Sequence, residues 1–311
     1  MATQTAAAHA ITRRQSAPHG WLSEQTITTT LFLLPALAFL VVFIVWPILS
    51  SVELSFFEWN GLSANRTFVG LGNWSKLFGD GIFWRAFTNN IIIVVLSIAI
   101  QIPIAMALAV LLHRGGRKLQ FFKVVYFFPL LMSTVAVGIL FKYVYDLQFG
   151  VVTPLLETLG LKALSRDWLG DPNVALFSVI VVICWQFIPF YMVLFLAQLL
   201  NIPEDIHEAA MIDGATENQY FWRVELHLMR GIIATAITLS LIGSLKYFDL
   251  IWVMTEGGPS RSTELMATYM YKEAFASFHM GYGSTIATAM FIIVMIVALT
   301  ALAIGQRPRE A

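Results

Sequence analysis

Long apolar runs alternate with short polar segments along nearly the whole chain. Six runs are long enough to cross a bilayer, roughly 29–50, 87–112, 121–145, 174–200, 231–254 and 283–306. At 1.5 Å per residue the first covers about 33 Å, more than the hydrocarbon thickness of a membrane. The pattern predicts an all-α, polytopic membrane protein with six transmembrane helices. Pro35, Pro103, Pro129 and Pro189 fall inside spans. Neighbouring helices and water can satisfy the carbonyls that such prolines free, so each marks either a kink beside a path or ordinary packing.

Composition agrees. Of 311 residues, 58% are hydrophobic and 12% charged, against about 25% charged in soluble domains. Lys plus Arg equals Asp plus Glu, 19 each, so no nucleic-acid footprint is visible. Residues 1–28 form a polar N-terminal tail, 29–306 a transmembrane domain, and 307–311 a short C-terminal tail. A signal-peptide core has about 7–15 apolar residues and a small-residue cleavage site. The first run is longer and lacks the site, so it reads as a retained span with Arg13-Arg14 as its inner flank. The single Cys184 lies in an apolar run and reads as a small buried hydrophobe. The six histidines show no metal-ligand spacing, so no metal site is expected.

Lys and Arg in short loops set the orientation. The segment "HRGGRKLQ", 113–120, holds Arg114, Arg117 and Lys118, with Lys123 beyond, and no acid. Arg13, Arg14, Arg307 and Arg309 fall on the same side if there are six spans. Both termini and the segment 201–230 are therefore expected in the cytoplasm.

That segment is unusually polar for its surroundings. In "NIPEDIHEAAMIDG", 201–214, Asn201 can cap a helix, Pro203 suits an early helical position, and Glu204 stands in capping-box spacing. Gly214 fits the left-handed position that ends a helix. Thr216 then caps a second helix, with Gln219 three residues on. The spacing predicts a helix, a glycine turn and another helix at the membrane surface. A helix lying on lipid would carry Lys and Arg on its polar face. This unit carries Glu208, Asp213, Glu217 and Glu225 instead, which favours a protein partner. Ala209 and Ala210 permit close approach.

The order "LLNIP", "EAA", "IDGA", Phe221 resembles the signature loop of permease subunits in bacterial binding-protein-dependent ABC importers. "FDLIWVMTEGGPSRST", 248–263, followed by "YMYKEAFASFHMGYGSTIA", is similar to the carbohydrate branch: the maltose, glycerol-phosphate and multiple-sugar permeases. The resemblance covers about residues 29–306. It implies a type I ABC importer permease fold in a bacterial plasma membrane. It also implies a coupling helix within 201–230 that docks on a cytoplasmic ATPase through Glu208, Ala209, Ala210, Asp213 and Gly214. The implied partners are a second permease, two ATPase subunits that bind ATP and Mg, and an extracytoplasmic binding protein reaching the outer loops 51–86, 142–173 and 255–282. The family usually has Pro where this chain has His227, so the second short helix is expected to run on more smoothly into the fifth span.

The residues agree with that resemblance. No G-x(4)-G-K-[ST] occurs, so no ATP site, cofactor or catalytic residue is expected in this chain. An ion-coupled secondary transporter of a small polar solute is the alternative. It calls for inverted repeats and several buried ionisable groups. No convincing repeat is visible, and only Lys246 and Asp249 are ionisable within a span. Their i,i+3 spacing fits a local ion pair or a role in the path.

A sugar needs hydrogen bonds to its hydroxyls and flat apolar surfaces for its ring faces. "CWQFIPFY" and "TLSLIGSLKYF" supply both residue types in spans four and five. By position in the family motif, substrate contacts carry over to Gln186, Phe187, Phe190, Ser240, Gly243, Ser244 and Tyr247. The last four are spaced three, one and three apart, one helical face. Serine and glycine on such a face also suit close helix packing.

Overall fold

The computed structural model describes residues 24–115 and 120–305. Of the residues that set the expected orientation, Arg13, Arg14, Arg117, Lys118, Arg307 and Arg309 lie outside the described residues. The chain divides after Ser50 into two compact units.

Helix α1 (Glu24–Leu40) passes through a π-helical turn, Val41–Val45, into α2 (Trp46–Leu54), whose last four residues belong to the second unit. Pro47 has no N–H to return to the preceding turn, which is where the helix widens. The stretch Thr28–Leu54 is long and apolar enough to cross a membrane.

The second unit is helical as expected, with one short β pair ahead of its longest helix. Two short strands, β1 (Phe57–Glu58) and β2 (Thr67–Phe68), pair antiparallel with Phe57 opposite Phe68. After α3 (Gly72–Gly79), the carboxylate of Asp80 accepts hydrogen bonds from the amides of Ile82 and Phe83 and so caps the 34-residue α4 (Gly81–Arg114). There follow α5 (Gln120–Leu131), α6 (Thr134–Val144), α7 (Val152–Thr158) and α8 (Ala175–Leu199). The polar unit contains α9 (Glu204–Ile212), α10 (Glu217–Tyr220) and α11 (Leu226–Leu228). Then come α12 (Arg230–Leu245), α13 (Asp249–Thr255), α14 (Met266–Tyr271) and α15 (Met280–Gly305).

Among the described residues four helical stretches are long and apolar enough to cross a membrane in one piece, and up to six spans result when each of two bent pairs counts as one. The third expected span, 121–145, is broken: α5 and α6 meet at 96°. Pro129 removes a backbone donor just before the break. The fifth, 231–254, is also not continuous. Its 16-residue α12 spans only about 24 Å, and residues 246–248 leave the helix before α13 resumes. The smooth run from the second short helix into span five is likewise not found. The helix Glu217–Leu228 bends by 66° at Met229 before α12 begins.

The core sits between α4 and α8. Ala105 and Ala109 of α4 are fully buried and let the helices approach, with Met192 and Phe195 of α8 filling the contact. A second cluster joins Ile93, Val179 and Ile183 to Leu250 and Ile251 of α13. In lipid, apolar burial gives little drive toward helix association, so close packing and interhelical hydrogen bonds carry it. Two adjacent buried asparagines supply such bonds. Asn89 Nδ2 donates to the carbonyls of Ser262 (3.0 Å) and Glu264 (2.9 Å). Asn90 Nδ2 donates to the Ser244 carbonyl (3.2 Å), and its Oδ1 accepts from the Met266 amide (3.0 Å).

Candidate translocation cavity and coupling segment

A cavity of about 410 Å³ lies between α8 and the end of α12. Six of the seven residues expected to contact substrate line it: Phe187, Phe190, Ser240, Gly243, Ser244 and Tyr247. Ser240, Gly243 and Ser244 are on α12, whereas Tyr247 lies in the break just beyond it. The shared wall is therefore made by a helix and the unwound segment that follows. Phe187 meets Tyr247 edge to face, with centroids 6.0 Å apart. Gln101, Thr134, Lys246, Phe248 and Asp249 also line the cavity. Of these five, the sequence left a role in the path open for Lys246 and Asp249 and singled out neither Gln101, Thr134 nor Phe248.

Gln186 is the seventh residue, and it is placed elsewhere. Its side chain is buried, and Nε2 donates to the Met132 carbonyl (3.4 Å) and to Thr134 Oγ1 (3.5 Å). It satisfies a carbonyl at the α5–α6 break and does not line the cavity. Of the two roles left open for Lys246 and Asp249, the local ion pair does not form, because the helix breaks between them.

The polar segment is built much as its sequence signals dictate. Thr216 and Gln219 form a reciprocal capping box: the Thr216 amide donates to Gln219 Oε1 (2.8 Å) and the Gln219 amide to Thr216 Oγ1 (3.3 Å). Gly214 has φ +81°. Its amide donates to the Met211 carbonyl and that of Ala215 to the Ala210 carbonyl, both at 3.0 Å. This is the paired closure that ends a helix on a left-handed residue. The start differs: Pro203, not Asn201, is the residue before the first turn. Glu208, Ala209, Asp213 and Gly214 are exposed and Ala210 is half-buried. The Ile212 side chain is 85% exposed on the same unit.

The unit is tied down on one side. His207 Nε2 lies 3.0 Å from Glu217 Oε1 and its ring packs edge to face on Tyr220. Arg114, the last residue of α4, pairs with the buried Glu225 at 3.1 Å and with Glu217 at 3.6 Å. Arg114 and the 201–230 segment thus share one end of the molecule, as the six-span topology requires.

At the opposite end of α4 the signature "TEGGPSRSTE" encloses a charge. Glu264 is fully buried, 2.7 Å from Lys272 Nζ and 2.7 Å from Thr268 Oγ1. Gly257, at φ +81°, makes room: a Cβ there would sit 2.6 Å from Glu264 Oε1. Nearby, the hydroxyls of Tyr269 and Tyr282 both donate to Asp80 Oδ2 at 2.5 Å. Burial pushes the Asp80 carboxyl up. Those hydroxyls and the Ile82 and Phe83 amides outweigh it and hold the carboxyl below its ordinary range.

Residues 101–309 match the family described as "Binding-protein-dependent transport system inner membrane component". The chain belongs to this family. It is therefore a membrane permease of a bacterial binding-protein-dependent ABC importer, and the secondary-transporter alternative is set aside. It is 36% identical over 280 residues to the probable ABC transporter permease protein YurN of Bacillus subtilis (strain 168), covering 89% of this chain and 96% of that one. It is 34% identical over 276 residues to the multiple sugar-binding transport system permease protein MsmF of Streptococcus mutans serotype c, covering 89% and 94%. It is 35% identical over 274 residues to the lactose transport system permease protein LacF of Rhizobium radiobacter, covering 86% and 90%. The fold is that of a type I ABC importer permease. A chain of a bacterial ABC transporter involved in import of the acidic polysaccharide alginate superposes with a TM-score of 0.76 at 22% identity, covering 92% of this chain and 97% of that one.

Proposed function

We propose that this permease carries a sugar or sugar derivative across the bacterial plasma membrane. In this reading it forms the path with a second permease. Two cytoplasmic ATPase subunits bind ATP and Mg, and an extracytoplasmic binding protein delivers the ligand; this chain holds no cofactor of its own. The observation that supports it best is the cavity, where aromatic rings and serine hydroxyls meet in the way a sugar needs. Relatives named for multiple-sugar and lactose transport support the same class.

Residues 1–28 and 307–311 are cytoplasmic tails, and 29–306 is the permease domain. The 201–230 segment faces the cytoplasm and docks on an ATPase through Glu208, Ala209, Ala210, Asp213 and Gly214. Copurification tests the assembly: an ATPase and a second permease should come down with this chain, and reconstituted ATP hydrolysis should rise with sugar-loaded binding protein. Recovery of the chain alone, with transport that needs no ATP, sinks the reading. Orientation has its own test. The one native thiol, Cys184, is buried, so Asp213→Cys should react with an impermeant reagent only from the cytoplasmic side.

A further inference from the structure

Among the described residues, two charges in the cavity wall have no ion-pair partner. Lys246 stands at the C-terminal end of α12 and Asp249 is the first residue of α13. Had the helix continued, i,i+3 spacing would bring them together. Instead, residues 246–248 unwind, with Phe248 at φ −140° and ψ −61°. Among the described residues neither side chain forms an ion pair. Both are exposed, and both line the cavity beside Tyr247, Phe190 and Ser240.

Ionised side chains within spans are costly and mark water-filled paths or the groups that pass through them. Helix-end electrostatics favours a cation at the end of α12 and an anion at the start of α13. That accounts for the signs of the charges but not for both lining one cavity.

We propose that Lys246 and Asp249 are a specificity-determining pair that selects a neutral, hydroxyl-rich saccharide over an acidic one. This rests on the sugar-importer reading. A hydroxyl both donates and accepts. The Asp249 carboxylate can therefore accept from hydroxyls of a saccharide while the Lys246 ammonium donates to its oxygens, and both bonds are charge-assisted. A neutral ligand satisfies the pair and brings no charge of its own. An acidic ligand brings an anion whose attraction to Lys246 is opposed by Asp249, and it must also lose its hydration. Tyr247 and Phe190, next to the pair, offer apolar surface to the sugar ring.

The test uses the complete importer, with both permeases, ATPases and binding protein, in proteoliposomes. Uptake is measured with lactose, maltose and diacetylchitobiose as neutral probes, and digalacturonate, an alginate dimer and sucrose 6-phosphate as acidic ones. The binding protein is the same throughout, so its contribution cancels between variants. Wild type should transport at least one neutral probe and none of the acidic ones at a comparable rate. Asp249→Asn and Lys246→Gln should each lower neutral uptake about tenfold, the scale of one charge-assisted hydrogen bond. Uptake is expressed per assembled complex, whose amount should stay unchanged. Asp249→Asn should also raise acidic uptake relative to neutral, and Lys246→Gln should lower it. Wild-type neutral uptake in both variants, equal losses for every probe, or a wild type that prefers acidic probes overturns the inference and leaves the importer reading standing. A complex that hydrolyses ATP but moves none of the six probes overturns the sugar reading itself, and the inference with it.

Discussion

The Arg114 guanidinium lies 3.1 Å from the carboxylate of Glu225, whose side chain is only 3% exposed. This contact fastens the end of the second span to the segment joining spans four and five. Arg114→Ala leaves a buried carboxylate without its cation. The expected loss of stability is about 1–3 kcal/mol, at the lower end because the Arg114 side chain is itself 38% exposed. Ligand-stimulated ATP hydrolysis should fall while the ATPase still copurifies. The double variant Arg114→Ala/Glu225→Gln removes the stranded charge and should restore stability without restoring stimulation. Full stimulation in Arg114→Ala would show that span two takes no part in coupling.

Gly214 should be the position in the 201–230 segment least tolerant of a side chain. No neighbouring atom would clash with an added Cβ, so the penalty comes from the backbone alone. A β-branched residue held left-handed costs roughly 1–2 kcal/mol. Gly214→Val should leave the chain inserted yet uncouple or release the ATPase. Glu208→Lys, on the exposed face of the same unit, should act similarly by reversing charge. Copurification and stimulated ATP hydrolysis report both effects. Wild-type values for both variants return the segment to an unpartnered surface helix.

Phe190 and Gln186, four residues apart on α8, should behave differently. Phe190→Ala and Tyr247→Ala remove cavity wall and should lower uptake severalfold with the assembled complex intact. Gln186→Leu removes the donors to the α5–α6 break and should lower thermal stability by about 1–2 kcal/mol, with ligand selectivity unchanged. Altered selectivity in Gln186→Leu would place that side chain in the path.

Low pH should loosen the end of α4 opposite Arg114 through Asp80. Its carboxyl titrates below the ordinary range when folded. The stabilisation it provides is therefore complete above the unfolded value of about 3.9 and disappears as pH falls through the folded value. Melting of the detergent-solubilised protein between about pH 6 and pH 3 should show this loss. Asp80→Asn should weaken the protein at neutral pH and flatten the acid limb. An unchanged acid limb in that variant means another group controls it.

Span number, the glycine turn and the Thr216 capping box were legible because each depends on a local signal: run length, backbone handedness, a three-residue spacing. The breaks at Met132, Met229 and Lys246 were not. A hydropathy run reads straight through a bend in the backbone, and two of these breaks are held by donors far away in sequence, Gln186 at Met132 and Asn90 at the end of α12. The adjacent Asn89 and Asn90 in an otherwise apolar stretch were a visible sign of buried hydrogen bonding. Their partners lie more than 150 residues away. The Arg114 contact was hidden for the same reason. As a loop cation it counted only toward orientation, and its pairing depends on how the polar segment folds back.

Helix α4 carries Asn89 and Asn90 near one end and Arg114 at the other. Its 34 residues continue unbroken through Pro103 and extend about 50 Å. The asparagines grip the carbonyls of Ser244, Ser262 and Glu264, next to the cavity and in the 255–264 signature loop. Over a lever arm of that length, a tilt of about 5° swings one end by roughly 4 Å relative to the other. A tilt of that size, set by a push on Arg114 at one end, would reach the other end as an ångström-scale displacement carried by one continuous helix.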